Sequence, residues 1–178
     1  MAKSSRKQIE ADEIKVLVEL QKNCKDSLDK IAKRCGFSRQ KTWRILKHLE
    51  KNKTIWGYTA VLDEERIGMK RYFLLVKGKN LPIDNEIEKN ITDRQLDKAV
   101  AKLGIILDDS YWLHGTFDGM VVFSAEDIKT AKKFIDIFKE LYKESLNITD
   151  LQLIEKIVTI KKNGFINPRI KETKRLLE

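Results

Sequence analysis

Three short amphipathic segments at the start of this chain limit its fold more than any other feature. The first predicts a helix over residues 8–22, and the second predicts a helix over residues 26–35, which Gly36 ends. A third predicted helix begins at Ser38, a favourable N-cap residue, and runs to about Lys51. Short helices joined by a tight turn that contains glycine are typical of the helix-turn-helix motif. We therefore predict this motif at the N-terminus.

The spacing of the apolar residues predicts the buried face of each helix. Residues that recur every three or four positions lie on one side of an α-helix, so they pack inward together. The predicted inward residues are Ile14, Leu17 and Val18 in the first helix, Leu28, Ile31, Ala32 and Cys35 in the second, and Thr42, Ile45, Leu46 and Leu49 in the third.

Positive charge is concentrated in the same part of the chain. Residues 1–62 contain 15 lysines and arginines against 7 acidic residues, a net charge of +8, whereas the whole chain carries +9. Arginine and glutamine can pair with base edges, and lysine suits phosphates. A face of this composition predicts insertion into the major groove of DNA. On the third helix, the face opposite the apolar residues presents Gln40, Arg44, Lys47 and Lys51, with no acid among them.

We expect double-stranded DNA to be the partner of this region. Residues at the start of a recognition helix contact bases, and those along its outer face and after its end contact the phosphate backbone. The alternative is that the basic face is an ordinary solvated surface. The candidate DNA-binding residues are Ser38, Arg39, Gln40, Trp43, Arg44, Lys47, Lys51 and Lys53.

The rest of the chain has a different pattern, in which apolar strand-like segments alternate with helical stripes. The predicted order after the linker is β-α-β-β-α-β, a ferredoxin-like unit with helices on one face of a sheet. The predicted elements are a wing strand over 55–62, a polar linker over 63–69, strands at 71–77, 105–114, 120–123 and 148–160, and helices that follow the capping sequences at 92–95 and 124–127.

The predicted fold class is α+β, with a winged helix-turn-helix in front of a ferredoxin-like sensing and dimerisation domain. The uncovered face of such a sheet must be buried, and a second copy usually buries it. We therefore expect a homodimer or a higher homo-oligomer. The predicted domains are the DNA-binding domain (1–62), the linker (63–69), the effector and oligomerisation domain (70–162) and a C-terminal tail (163–178).

Composition and residue spacing argue against several other classes of protein. The longest apolar run is the five residues Tyr72–Val76, whereas a membrane helix needs about 20. The N-terminus lacks the apolar stretch of a signal peptide. Cys24 and Cys35 are too few for a disulfide scaffold, and together with His48 they fit no zinc spacing. We expect a cytoplasmic protein without a membrane partner, a bound metal or a cofactor.

Two motifs resemble those of a known family. Residues 55–63, Ile-Trp-Gly-Tyr-Thr-Ala-Val-Leu-Asp, continue to Ile67-Gly68 and match a hydrophobic-x-Gly-Tyr-Thr-Ala junction with a Leu-Asp-x-x-x-(Leu/Ile)-Gly linker. Residues 115–118, Gly-Thr-Phe-Asp, match a Gly-x-(Tyr/Phe)-Asp turn. In this order and spacing the chain resembles the prokaryotic Lrp/AsnC (leucine-responsive, or feast/famine) regulators over residues 10–160.

The resemblance implies a transcriptional regulator that binds operator DNA as dimers or larger assemblies and is modulated by an amino acid. Three features depart from the family pattern. Residues 81–91 look like an insertion, Leu153 stands where many relatives have threonine, and the tail after Asn163 is longer than the family core. Carried over by resemblance, the candidate effector-binding residues are Gly115, Thr116, Asp118 and Gly119.

Two other functions stay open beside the regulator. Siroheme decarboxylases resemble this architecture, but His114-Gly115-Thr116 lacks the His-Asn-Tyr-x-Arg pattern associated with them. Because no Ser-His-Asp set or phosphate loop can be assembled either, we predict that the protein is not an enzyme. The other alternative is an architectural protein that coats DNA without an effector, with steep salt dependence and little sequence preference.

Overall fold

The computed structural model describes residues 5–79 and 85–172, which form two compact units. The predicted linker, residues 63–69, lies in the second unit. Of the predicted tail, residues 173–178 lie outside the described residues. The first unit contains the residues up to Val61 together with Lys161–Asn167, and the second contains Leu62–Ile160 and the residues from Pro168 onward.

Three helices that contact one another make up most of the first unit and give the predicted helix-turn-helix. Each begins after a serine whose hydroxyl accepts a hydrogen bond from the backbone N–H three residues later, at 3.2 to 3.4 Å. The second helix ends at Gly36, whose φ of 71° is left-handed and suits glycine. The helices are α1 (Arg6–Lys22), α2 (Leu28–Cys35) and α3 (Arg39–Lys51).

The buried face of α1 differs from the predicted one. Val16 and Asp12 are buried, whereas Ile14 is 59% exposed and Val18 is 43% exposed. Because α1 has apolar residues on several sides, their spacing alone could not identify the inward face. The predictions for the other two helices agree better: Ile31, Ala32, Cys35, Thr42 and Leu49 are buried, and Leu28, Ile45 and Leu46 are half-buried.

Residues 55–62, predicted as a wing strand, belong to no strand of the described chain. The N–H of Ile55 donates to the Leu49 carbonyl at 3.1 Å, and Trp56 is then 94% exposed. The N–H and C=O groups of a strand must pair with those of a neighbouring strand. Aromatic and β-branched residues favour a strand but do not provide that neighbour. The first unit does contain a short antiparallel hairpin, in which Lys161–Lys162 pair with Phe165–Ile166.

The second unit is a four-stranded antiparallel sheet with helices, the predicted ferredoxin-like arrangement. The strands lie in the order second, third, first, fourth. In chain order the elements are a 3₁₀ helix (Glu64–Ile67), β1 (Lys70–Gly78), α4 (Asn85–Thr92), α5 (Gln95–Ala101), β2 (Ile106–Trp112), β3 (Gly119–Ala125), α6 (Ile128–Leu146) and β4 (Ile148–Glu155).

Two helices, rather than the predicted one, connect β1 to β2 in the described chain. α4 occupies much of the segment 81–91, of which residues 81–84 lie outside the described residues. Thr92, predicted as a helix N-cap, instead ends α4. Arg94 then takes a left-handed conformation, with φ of 53°, directly before α5. The supposed insertion is therefore a helix in the layer that covers the sheet.

A row of aromatic rings forms the core between α6 and the sheet. The rings of Phe123 and Phe134 lie 4.1 Å apart between centroids. The row continues to Tyr72 on one side and to Phe138 and Tyr142 on the other, at centroid separations of 5.0 to 6.0 Å. Aromatic side chains of this kind bury large areas and add favourable ring–ring contacts. The core of the second unit is therefore large, with this aromatic row packed among aliphatic side chains.

A buried ion network holds the predicted linker, residues 63–69, against the sheet. The Glu64 carboxylate is buried and lies 2.9 Å from the Arg71 guanidinium and 3.3 Å from the Lys156 ammonium. Arg71 also lies 3.1 Å from the Asp108 carboxylate. β4 ends just before Lys156, earlier than predicted, and the backbone of this lysine donates to the Arg71 carbonyl. The segment is thus a fixed part of the second unit.

Candidate functional site

An ion pair sets the orientation of α3 against α1. The Lys41 ammonium lies 2.5 Å from the Asp12 carboxylate, whose side chain is 6% exposed, and the Gln8 amide donates to the same carboxylate at 2.9 Å. The hydrogen bond from Lys41 lowers the pKa of Asp12 below its ordinary value, against the opposing effect of burial. Lys41 also lies 4.0 Å from the centroid of the Phe37 ring. Its charge is therefore used within the unit.

The other cations of α3 face outward. The Arg39 guanidinium lies 3.7 Å from the Asp29 carboxylate of α2, and both side chains are mostly exposed. Ser38 serves as the N-cap, since its hydroxyl accepts from the N–H of Lys41 at 3.2 Å. Lys53 follows the helix end with φ of 63°. The exposed members of the predicted DNA-binding set are Ser38, Arg39, Gln40, Trp43, Arg44, Lys47, Lys51 and Lys53.

An acidic residue that the sequence analysis missed also borders this face. The Glu50 carboxylate lies 2.8 Å from the Lys47 ammonium and accepts a hydrogen bond from the Tyr58 hydroxyl at 3.1 Å. The hydrogen bond from Lys47 lowers the pKa of Glu50, and burial, helped by the bond to Glu50, raises the pKa of Tyr58. The expectation of a face without acidic residues was therefore wrong at Lys47. The spacing of three residues on one helix could have predicted this pair.

The predicted effector residues have different surroundings. Gly115 and Thr116 are exposed in the loop between β2 and β3. Asp118 is half-buried, and its carboxylate accepts a hydrogen bond from the N–H of Gly78 at 3.0 Å. Its own N–H donates to the Val76 carbonyl at 2.9 Å. Asp118 therefore ties the loop to the end of β1, which is a structural use of the carboxylate.

Gly119, the fourth candidate, lines a partly open cavity of about 260 Å³ between the helices and the sheet. Residues of α4, α5 and α6 form one side of this cavity, and residues of β1, β2 and β3 form the other. A Cβ atom at Gly119 would meet its nearest neighbour, the Tyr111 carbonyl oxygen, at 3.5 Å. The other three candidates lie outside the lining. The cavity therefore adjoins the loop at Gly119 and includes none of the other three candidates.

Known proteins resemble this chain in its N-terminal helices and in part of its sequence. Residues 13–55 match the family of winged helix-turn-helix DNA-binding domains. The leucine-responsive regulatory protein of Haemophilus influenzae is 36% identical over 83 residues, which cover 44% of this chain. The matched segment spans half (50%) of the length of that relative.

Solved structures match over nearly the whole chain. An AsnC family transcriptional regulator from Agrobacterium tumefaciens, 19% identical, gives a TM-score of 0.58 and covers 92% of this chain and 97% of its own. A transcriptional regulator from Neisseria meningitidis, solved with L-methionine, is 20% identical. Its TM-score is 0.58, and the match covers 90% of this chain and 97% of that regulator. These solved regulators share the fold of this chain.

The cysteines and acidic residues of the described chain are the other candidates for a site. Cys24 is exposed, and burial raises the pKa of the Cys35 thiol, so Cys35 is not a ready thiolate. Within residues 5–79 and 85–172, no group of three or more His, Cys, Asp or Glu residues is arranged to hold a metal ion. Over the same residues, no helix is long and apolar enough to cross a membrane.

Proposed function

We propose that this protein is a sequence-specific transcriptional regulator that binds double-stranded DNA through α3. The observation that carries the proposal is the outward face of α3, where Gln40, Arg44, Lys47 and Lys51 are exposed. Lys41 pairs instead with Asp12. A helix whose inward-directed cation is neutralised while the others face solvent suits a polyanion. Such a regulator works where the DNA is, so we propose a cytoplasmic location.

Each exposed residue has a chemical role in this proposal. Arg44 and Gln40 lie on the first half of α3, where bidentate donors can reach base edges in the major groove. Lys47, Lys51 and Lys53 suit phosphate contacts, which supply affinity but no base preference. Arg39 and Trp43 lie beside the base-reading residues and would contact the adjoining sugar–phosphate backbone. The Ser38 N-cap leaves helix N–H groups close to a phosphate.

Homodimerisation through the open face of the sheet is part of the proposal. Tyr72, Leu74 and Val76 of β1 point to the helices and are buried. Phe73, between them, therefore points to the opposite face, and its partners across the sheet are Val122 and Ile154. In this row Val122 is buried, Phe73 is half-buried and Ile154 is 44% exposed. A second copy would cover the exposed part of the row.

We also propose that a small metabolite modulates binding through the second unit. The related regulator from Neisseria meningitidis was solved with L-methionine, which supports an amino acid at the loop that holds Gly115, Thr116, Asp118 and Gly119. In this chain the Asp118 carboxylate is already bonded to Gly78. We therefore expect Gly115 and Thr116 to make most of the contacts to an effector at this loop.

The decisive experiment measures binding of the full chain to genomic DNA fragments, first by site selection and then by fluorescence anisotropy at several salt concentrations. Arg44→Ala should weaken binding to the selected site by roughly 5- to 150-fold, the 1–3 kcal/mol expected of a base contact, and relax base preference. Lys51→Ala should weaken all duplexes alike and lower the salt slope by about 0.9. Lys132→Ala, an exposed change on α6, is the control and should do neither.

The alternatives give different results in the same experiment. Equal affinity for all duplexes, with a steep salt slope, would favour an architectural DNA-binding protein. If neither Arg44→Ala nor Lys51→Ala changes duplex binding, α3 is not the recognition helix. Turnover of siroheme by the purified protein would overturn the regulator proposal in favour of an enzyme. Addition of single amino acids to the binding assay tests the effector.

A further inference from the structure

A partly open cavity lies between the helices and the sheet of the second unit. Its volume is about 260 Å³. A protein cavity of about 150 Å³ lined by apolar side chains is large enough to bind benzene. This cavity can therefore hold one aromatic ring with a few additional atoms. It is also open on one side, which gives a small molecule a route of entry.

The segment that departs from the family pattern builds one wall of the cavity. Ile87, Asn90 and Ile91 of α4 line it, and Ile87 is buried. The chain then turns at Arg94, whose left-handed φ of 53° is uncommon outside glycine. The Arg94 guanidinium lies 2.6 Å from the Asp97 carboxylate, and both residues line the cavity. A non-glycine residue in such a conformation is a feature often found at ligand sites.

The chemistry of the lining selects the ligand class. Most of the wall is apolar, with Leu96, Val121 and Phe138 among its residues. The two charged groups, Arg94 and Asp97, pair with each other, so the lining has no net charge that would select an ionic ligand. The polar groups left for a ligand are neutral, and they include the Asn90 amide and the Ser110 hydroxyl. An apolar wall with a few neutral polar groups suits an uncharged ligand.

We propose that this cavity binds a small uncharged aromatic molecule, one ring or a fused pair of rings that carries a single hydrogen-bonding group, as in phenols and indoles. Of the four residues proposed for the amino-acid effector, the cavity includes Gly119 but not Gly115, Thr116 or Asp118, so an aromatic ligand would occupy a different space from that effector. Its binding does not depend on the DNA-binding proposal. Ser110 faces it from the edge strand β2, and Trp112 of the same strand lines it.

Direct binding to the full chain tests the proposal. Phenol, indole and toluene are titrated by calorimetry and by Trp112 fluorescence in a Trp43→Phe/Trp56→Phe background, so that Trp112 alone reports. We expect saturable binding of one phenol or indole per chain with a Kd of about 1 mM or tighter, as small efficient ligands give, together with a change in Trp112 emission. Absence of saturable binding by both probes overturns the proposal.

Variants locate the site and its polar recognition. Ser110→Phe projects a ring into the cavity from an exposed position and should abolish binding, whereas Thr149→Phe, an exposed hydroxyl residue of the other edge strand, should leave it unchanged. Val121→Phe, from the buried side, is a second blocking variant. Ser110→Ala should weaken phenol about fivefold, the value of one neutral hydrogen bond, but leave toluene unchanged. Binding that survives both blocking variants, or binding of toluene in preference to phenol, overturns the proposal.

Discussion

The two compact units are stabilised in different ways. The buried apolar side chains in the described residues of the first unit are few, and they include Val16, Ile31 and Leu49. The second unit buries a much larger set, with Tyr72, Phe123 and Phe134 all at 0% exposure. Because hydrophobic stabilisation scales with the apolar area removed from water, the second unit depends mainly on its core. The first must use polar contacts to set its helix positions.

This difference matches the charges of the two regions. The first 62 residues carry nearly all of the net charge, and packing many cations close together is unfavourable for a small domain. The pairs Lys41–Asp12 and Arg34–Glu19 join neighbouring helices and neutralise cations there, and Arg34 also pairs with Asp26. The outer face of α3 keeps its charge for a partner. We infer that polar interior contacts are what allow a small basic unit to present such a face.

The largest effect should come from the aromatic core of the second unit. Phe134→Ala removes the ring that contacts both Phe123 and Phe138, and it should lower the free energy of unfolding by about 4 kcal/mol. Urea unfolding followed by Trp112 fluorescence measures this in the Trp43→Phe/Trp56→Phe background. Ile128→Ala, at a position 41% exposed on the same helix, is the control and should cost less than about 1 kcal/mol. Equal losses for the two variants would contradict the assigned core.

The next largest effect on stability should come from Gly78, where the end of β1 lies close to the backbone of Leu146. A Cβ atom at Gly78 would lie 2.4 Å from the carbonyl oxygen of Leu146, so the end of β1 must move to accept it. Gly78→Ala should therefore destabilise the second unit by up to about 3 kcal/mol. At Gly119 the nearest atom would be 3.5 Å away, so Gly119→Ala should change the unfolding midpoint little. A tolerated Gly78→Ala would show that β1 and α6 are not so closely packed.

In the first unit the Lys41–Asp12 ion pair should contribute most to stability. Asp12→Asn removes the charge that pairs with Lys41 and should cost about 2 kcal/mol at neutral pH, a typical value for a charged hydrogen bond. Thermal unfolding of the helices by circular dichroism measures the loss. The exposed pair Arg6–Glu10 supplies the control, since Glu10→Gln should cost no more than about 0.5 kcal/mol.

Low pH should remove the contribution of the Lys41–Asp12 pair to the free energy of unfolding. The folded-state pKa of Asp12 lies below its ordinary value of 3.8, so the native state favours the ionised form. The pair therefore contributes fully above pH 3.8, and the contribution is lost as the pH falls through the lowered folded-state pKa. The difference in stability between the wild type and Asp12→Asn should shrink only below that value. If the difference in stability between the wild type and Asp12→Asn already shrinks between pH 7 and pH 5, a group other than Asp12 is responsible for it.

The sequence was sufficient where one helix had one clear apolar face. α3 has such a face, so its inward residues Thr42 and Leu49 and its basic outer side could both be predicted. α1 has apolar residues around much of its circumference, and the contact that decides its orientation joins Asp12 to Lys41. Two residues so far apart in sequence leave no local pattern, so the buried face was predicted wrongly.

The second unit shows the same limit at longer range. Ile87 and Ile91 are four residues apart, which is a helical spacing, but two such residues are too few to distinguish α4 from a loop insertion. The Asp118 carboxylate bonds to the N–H of Gly78, 40 residues away, so its structural role could not be separated from a ligand role. The cavity depends on both of these regions, and it too could not be predicted from the sequence.

The smallest expected effect tests whether the first unit keeps all of its outer charge for DNA. Glu50 holds the Lys47 ammonium at 2.8 Å, so a phosphate must compete with this carboxylate. Glu50→Gln keeps an oxygen that can accept from the Tyr58 hydroxyl but removes the competing charge. Affinity for duplex DNA should rise by about two- to fivefold, the range for an exposed ion pair, and the salt slope should steepen by about 0.9 as Lys47 gains a phosphate. Glu10→Gln removes an equal charge from α1 and should leave the slope unchanged. If Glu50→Gln binds DNA more weakly than the wild type, the Lys47–Glu50 pair supports the recognition surface instead of competing with DNA.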